Sequence, residues 1–506
     1  MKRFSIAAVT LGALLLFPIM SQAQNDGETF EQYRQRMRKD YAGYKKQAED
    51  DFAAYRKKVN DEYAEFLRTR WKEMDMLRGV PAPRDTVPPT VMPEEERNRK
   101  RQNDPKPIEE VVKPAPPKPQ PEPVAPVVEP APQPRMDTIQ TLFCHTPLQY
   151  IVPQRPQLTL RGTSSDDIAD AWKTLSDGRC EALLAQCLKV RKEYCLNDYA
   201  YLQVLSGLGS KLFADNNAAV LITAWLYCQS GYKIRLAVDD NKNRLHIFYG
   251  STSLVYNTPY LISDDIYFGF MTSCIQGIRF CDATFPGERS LSLAIPQQPR
   301  LDMRRSNSRI LVSKRYADMK FTVNTNRNMI DFYNVYPTGS LDEDFGTRWA
   351  NYANTDVSDA VKQSLYPQLR GKLEGKSRLQ AVEELLNWVQ TSLVYEYDSV
   401  AWGVSDRAFF PEETLFYPYA DCEDRAILFT RLVRDILGLR AVLIFYPGHL
   451  GAAVRVEDSN ATGDYVTLDD GRYYIADPTY IGAPVGATMP CYKNTTVKVI
   501  RIDNPE

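Results

Sequence analysis

The stretch from Pro81 to Pro134 holds half of the chain's 34 prolines, with Lys, Glu, Val and Ala between them. Proline lacks the N–H that a helix or central strand needs and fixes φ, so this stretch has to run extended. Residues 79–135 are therefore expected to form a semi-rigid, Pro-rich linker, with globular sequence resuming at 136. Such a segment can also serve as a ligand for a proline-binding module, although a plain spacer is the simpler reading.

Ahead of the linker, residues 25–78 read as one long amphipathic helix. Phe30, Tyr41, Phe52 and Tyr63 recur every eleven residues, and Tyr33, Tyr44, Tyr55 and Phe66 follow each of them by three, with charged residues on the other faces. Eleven residues in three turns keep the stripe on one side of a nearly straight helix. A helix cannot bury such a stripe alone. It is expected either to self-associate as a stalk or to pack back on its own chain. Residues 1–23 read as a signal peptide: Lys2 and Arg3 precede an apolar run from Ile6 to Met20, and Ser21, Gln22 and Ala23 offer a cleavage site. The protein is thus expected to be exported to the periplasm or cell surface of a bacterium, or secreted. No later stretch is apolar for the roughly 20 residues of a membrane span, so no transmembrane anchor is expected. A net charge of −2 gives no basic excess for nucleic acid.

From 136 onward, helical and strand-like patterns alternate irregularly, which predicts an α+β fold divided into a middle domain, 136–300, and a C-terminal domain, 301–506. Ser377 and Gln380 form a capping-box pair ahead of a helix with Val382, Leu385, Leu386 and Val389 on one face. Cys422 opens a second helix, with Asp421 as N-cap, apolar residues at Ala426, Phe429, Leu432, Val433 and Ile436, and Gly438 as its stop. A strand follows to Tyr446, then a Pro447-Gly448 turn, then His449 entering a second strand. After an Asp470-Gly471 turn, a third strand leads into Asp477-Pro478.

The chain has three histidines, and His449 stands between a helix-opening Cys and a strand-ending Asp. That order suits thiol catalysis. A free thiol, with a pKa of about 8.5, is mostly protonated near neutrality, and a helix N-terminus with an adjacent imidazolium stabilises the attacking thiolate. An Asp would orient the imidazole. His449 and Asp477 are expected on adjacent antiparallel strands facing the cysteine helix, with Trp402, Tyr417 and Tyr419 lining the cleft.

The runs Asp421-Cys422-Glu423-Asp424-Arg425-Ala426, Gly438-Leu439-Arg440-Ala441-Val442, Pro447-Gly448-His449 and Tyr474-Ile475-Ala476-Asp477-Pro478-Thr479 resemble the transglutaminase-like superfamily, especially its bacterial cysteine-peptidase branch. The resemblance spans roughly residues 351–504. It implies a papain-like α+β domain with catalytic Cys422 as nucleophile, His449 as general base and Asp477 as orienting acid. The implied activity is hydrolysis of peptide or amide bonds through an acyl-enzyme, with acyl transfer as a variant. Glu423 stands where transglutaminases carry an aromatic residue, and Leu450-Gly451-Ala452 replaces their aromatic-acidic pattern, which favours hydrolysis over transfer. The family also contains inactive scaffolds, so a binding protein of the cell envelope is the alternative.

No Cys-x-x-Cys pair, His-Glu-x-x-His motif or Gly-rich phosphate loop is present, and neither a metal nor a cofactor is expected. The partners expected are a peptide or protein substrate and, through the long helix, a second copy. Cys144, Cys180, Cys187, Cys195, Cys228, Cys274 and Cys281 are compatible with disulfides or with core thiols. The odd total of nine leaves one cysteine over, and the resemblance nominates Cys422.

The middle domain reads either as a degenerate copy of the C-terminal one or as a chance likeness between two amphipathic helices. Ala219-Val220-Leu221-Ile222-Thr223 and Gly231 keep the spacing of Ala426-Ile427-Leu428-Phe429-Thr430 and Gly438, and a strand and a histidine, His246 or His449, follow each. In this register Asp215 falls opposite Cys422.

Overall fold

The computed structural model describes residues 30–82, 87–115, 136–264, 266–270, 277–404 and 406–505; the signal-peptide stretch and Cys274 lie outside them. The fold is mixed α+β. It forms two compact units, Met1–Lys58 and Val59–Glu506, so the chain does not divide at the expected 300/301 boundary. Among the described residues no helix is long and apolar enough to cross a membrane.

The eleven-residue repeat does form one helix, α1 (Phe30–Thr69), but it stops short of the expected 78, because Trp71–Met74 pairs as a strand with Ile278–Cys281. Within the first unit its stripe is exposed at Tyr41, Tyr44, Phe52 and Tyr55. From Val59 onward its residues belong to the second unit, where Tyr63 packs against Trp172 and Phe285 at ring-centroid distances of 4.9 and 5.3 Å and Leu67 is fully buried.

Two rolled sheets organise the second unit. Their strands are β1 (Trp71–Met74), β2 (Asp104–Pro105), β3 (Ile108–Val112), β4 (Ile234–Asp239), β5 (Arg244–Ser251), β6 (Tyr260–Ser263), β7 (Ile266–Phe270), β8 (Ile278–Cys281), β9 (Ala441–Tyr446), β10 (His449–Val454), β11 (Asp464–Leu468), β12 (Gly471–Ile475) and β13 (Val497–Arg501). The first sheet runs β1-β8-β4-β5-β7-β6 and the second β2-β11-β12-β10-β9-β13-β3. The helices used below are α2 (Asp198–Leu212), α3 (Asn216–Gln229), α4 (Arg378–Ser392) and α5 (Cys422–Leu437).

A short strap closes each sheet. In the second, Lys106 N–H donates to Tyr465 O at one edge (2.8 Å), while the next residue, Pro107, accepts from Val497 N–H at the other (3.0 Å). Adjacent residues cannot bond to edges that a flat array of strands about 4.8 Å apart would hold far from each other, so the sheet is rolled. In the first sheet, β1 pairs with β8, and Leu77, three residues beyond Met74, exchanges hydrogen bonds with Tyr260 of β6 at 2.9 and 3.2 Å. Three residues reach at most about 11 Å.

The reading of 79–135 as a free spacer is thereby corrected over 87–115. Asp104–Pro105 and Ile108–Val112 are edge strands parallel to β11 and β13, and Thr90–Val91 pairs with Tyr480–Ile481. Proline's fixed φ suits extended edge pairing, and only one side of an edge strand has to donate. The Lys106 ammonium is buried within the strap, donating to the carbonyls of Tyr492 (2.9 Å) and Lys493 (2.7 Å).

One topology occurs twice. In each case a helix, α3 or α5, feeds an antiparallel hairpin, β4-β5 or β9-β10; a second hairpin, β6-β7 or β11-β12, adds to its second strand, and β8 or β13 adds to its first. Asp215 caps α3, its carboxylate accepting from Asn217 N–H at 3.0 Å, as the register predicts. The histidines do not correspond. Asp239 and Tyr446 end equivalent strands and pair with Arg244 and His449 respectively, so Arg244 is the counterpart of His449, and His246 lies two residues further along. A longer turn in the first hairpin accounts for the offset. One hydrophobic core joins both copies, with Trp225 and Leu236 in the same cluster as Trp349, Leu385 and Phe429.

Candidate active site

Local sequence builds each part of the site. Helix α5 starts at Cys422 because Asp421 adopts an extended cap conformation and Asp424 reaches back to accept Asp421 N–H at 3.3 Å. It stops at Gly438, whose φ of 62° a side chain would disfavour. The β9-β10 turn uses the fixed φ of Pro447 and the positive φ of Gly448, 74°, which sets His449 opposite Tyr446.

His449 and Asp477 meet. Nε2 of His449 lies 2.8 Å from Oδ2 of Asp477, and the carboxylate accepts, so the proton sits on Nε2. The other oxygen, Oδ1, accepts from Thr479 N–H at 2.8 Å, which locks the carboxylate in an Asx turn. The imidazole lies nearly parallel to the Tyr492 ring, 5.6 Å between centroids and 9° between planes, with Tyr446 on the same stack. Gly451 leaves room for the Asp477 carboxylate. A Cβ there would sit 3.3 Å from Asp477 Oδ2, tight for any larger residue.

The strand that His449 opens and the strand that leads into Asp477 are adjacent and antiparallel, but Asp477 itself lies two residues beyond β12, in a turn, and the facing is different from that expected. Leu450, Ala452 and Val454 share the core cluster of α5, whereas Ala453, Ile475 and Tyr446 belong to the cluster inside the rolled sheet. Period-two alternation puts His449 and Gly451 on that inner face. The flank of α5 therefore packs on the opposite face, and the helix can offer Cys422 only from its N-terminal end, where it stands. Gln390 of α4 ties that end to the acid: Arg425 Nη1 donates to Gln390 O at 3.1 Å, and Gln390 Nε2 donates to Asp477 O at 3.1 Å.

Cys422 and His449 are fully buried. The thiol donates to Glu423 Oε2 at 3.4 Å. The carboxylates of Asp398, Asp421 and Glu423 converge there, with one oxygen of each within 4.8 Å of the others, a hard-oxygen set of the kind that could hold a cation. Asp424, buried beside them, is held well above the usual carboxylate range by desolvation, then by Asp421 and Asp398. Negative charge on sulfur is opposed by these acids and favoured by the helix N-terminus. Arg425 adds buried positive charge three residues on. Burial lowers its pKa to about 10, and it lies 5.3 Å over the Tyr395 ring.

Sequence reasoning missed Gln390, Arg425, Asp398 and two phenols. Tyr395 and Tyr397 titrate above the ordinary range because of burial first and the nearby Cys422 second, so both remain donors beside the thiol. Their only signal was the Tyr395-Glu396-Tyr397-Asp398 run just after α4. Trp402 and Tyr417, expected to line the cleft, pack on each other at 4.7 Å and on Phe409, beneath Arg407; Tyr419 is exposed. Cys144, Cys180, Cys187, Cys195, Cys281 and Cys491 are free thiols, and Cys180 and Cys187 are core residues. Burial pushes the Cys144 and Cys180 thiols up to about 12 and Cys281 up to about 11, which leaves them protonated. No family model matches the chain, and no curated protein matches it.

Proposed function

We propose that this chain is an exported thiol hydrolase of transglutaminase-like, papain-like type that cleaves peptide or amide bonds with Cys422, His449 and Asp477. The observation that carries the reading is the buried 2.8 Å contact between His449 Nε2 and Asp477 Oδ2, with His449 on β10, a strand against which the Cys422 helix packs. Asp477 occupies Nε2, so Nδ1 is the nitrogen left to take the thiol proton. The thiolate then attacks the carbonyl carbon, His449 returns the proton to the leaving amine, and water releases the acid from the acyl-enzyme. The Cys422 N–H, with Tyr397 as second donor, would hold the oxyanion; the Tyr395 hydroxyl is donated to Val87 O at 3.4 Å. Acyl transfer differs only in an amine replacing that water.

A non-catalytic envelope scaffold is the second reading. It draws on the full burial of Cys422 and His449 and on the carboxylates beside the thiol. Hydrolysis of amide substrates from envelope extracts separates the two. Cys422→Ala and His449→Ala should each abolish turnover, and Asp477→Asn should leave a small residue. Alkylation by iodoacetamide is read in a Cys491→Ser background, because Cys491 is exposed. Unchanged turnover in Cys422→Ala would remove the enzyme reading.

A further inference from the structure

A second site lies on the face where the Arg309–Val312 and Lys320–Val323 hairpin meets the chain just ahead of the thiol. It is a cavity of about 460 Å³, the size of a small-molecule pocket, and Arg304, Arg305, Arg309 and Arg327 line it. Four arginines thus border one cavity in a chain whose net charge is −2.

Their partners leave most of that charge uncompensated. Asp331 serves both Arg304 and Arg327, the latter at 3.4 Å, and His145 lies 3.5 Å from the same carboxylate. Among the described residues, Arg305 and Arg309 have no carboxylate partner. Arg305 donates to Gln363 Oε1 at 2.8 Å, and Arg309 to the carbonyls of Leu415, at 2.8 Å, and Tyr417. Arg309 is half-buried, and loss of water lowers its pKa, which is the cost of holding a cation in a wall with no counter-charge. The hydroxyls of Ser308 and Thr325 also line the cavity. Forked guanidinium groups beside hydroxyls match the oxygens of a phosphate or carboxylate group.

We propose that this cavity binds a small molecule carrying a doubly charged oxyanion, either a phosphate group or paired carboxylates. The site does not depend on the thiol chemistry, yet it adjoins it. Leu415 and Phe416 form its wall, and Cys422 follows Phe416 by six residues, a reach of at most about 20 Å. Arg309 holds the carbonyls of 415 and 417, so an anion there braces the loop that leads to the nucleophile.

Isothermal titration of the full chain with inorganic phosphate and, separately, with citrate, at ionic strength fixed with sodium chloride, tests the assignment. Saturable one-to-one binding is expected for at least one anion, and a loss of at least tenfold in affinity for Arg305→Gln and for Arg309→Gln. Binding of phosphate alone assigns a phosphate ligand, of citrate alone a polycarboxylate, and of both a general oxyanion site. Arg305 is exposed, so Arg305→Gln decides the matter even if Arg309→Gln fails to fold. Saturation by neither anion, or equal affinity in Arg305→Gln and wild type, overturns the proposal.

Discussion

His246 and Glu413 pull the stability of this molecule in opposite directions with pH. Burial, with Arg244 next, lowers the His246 pKa to about 4, while an unfolded imidazole titrates near 6.5. Between those values the unfolded chain binds a proton that the native state refuses, so stability falls as pH falls. Burial raises Glu413 to about 7, against roughly 4.3 unfolded. In that window the native state keeps a proton that the unfolded chain releases, so stability falls as pH rises. The two effects offset each other between about pH 5 and 6.5. His246→Gln should remove the first alone and make the variant more stable at pH 5 than at pH 7, relative to wild type, by about 1 to 2 kcal/mol. Urea unfolding at both pH values reads this; parallel profiles would show that His246 is not held neutral. Catalytic candidates were easier to read from sequence than these titrating groups. A cysteine after an N-cap and a histidine after Pro-Gly announce themselves locally, whereas a pKa depends on burial by residues far along the chain.

At the scale of elements, α1 is two things in one helix. Up to Lys58 it exposes its aromatic stripe; beyond Val59, Tyr63 and Leu67 are core residues, and each would cost about 2 to 5 kcal/mol if cut back. A deletion meant to test self-association must therefore stop at Lys58, since removal to residue 78 would also take β1 from its sheet. Deleting residues 24–58 should lower the number of protomers per particle seen in sedimentation velocity while the melting temperature of the remainder holds. An unchanged number of protomers would assign the stripe to another role. Helices α4 and α5 were legible because both their caps and their apolar spacing are local. The strap strands β2 and β3 were not. Extended proline-rich backbone looks the same in sequence whether it spans solvent or pairs with an edge, and the partner edges lie more than 300 residues later.

For the whole molecule, the strap and the shared core make the apparent C-terminal domain dependent on what precedes it. Residues 301–506 alone would lack β2 and β3, leaving both edges of the second sheet open, and would expose the surface that packs against the first copy. This fragment should show no cooperative unfolding transition, whereas 59–506 should unfold in one. Calorimetry of both fragments checks it, and a sharp transition in 301–506 would establish it as an independent domain. The repeated topology accounts for why a boundary near 300 looked natural. Each copy has its own helix and its own rolled sheet, yet their helices share one interior.

The amino-acid sequence by itself determined the α+β character, the presence of α1 though not its end, the helix Cys422–Leu437, the strand His449–Val454 and the helix-to-hairpin repeat. Caps, turns and periodicity act over a few residues, so each of these is written where it forms. Tertiary structure alone decided which face of the sheet holds His449, that Arg244 rather than His246 answers to it in the first copy, and that a proline-rich segment closes a sheet. The physical reason for the division is range. Caps and turns are settled by neighbours along the chain, whereas register, facing and edge closure are settled by strands that meet only once the sheets have rolled.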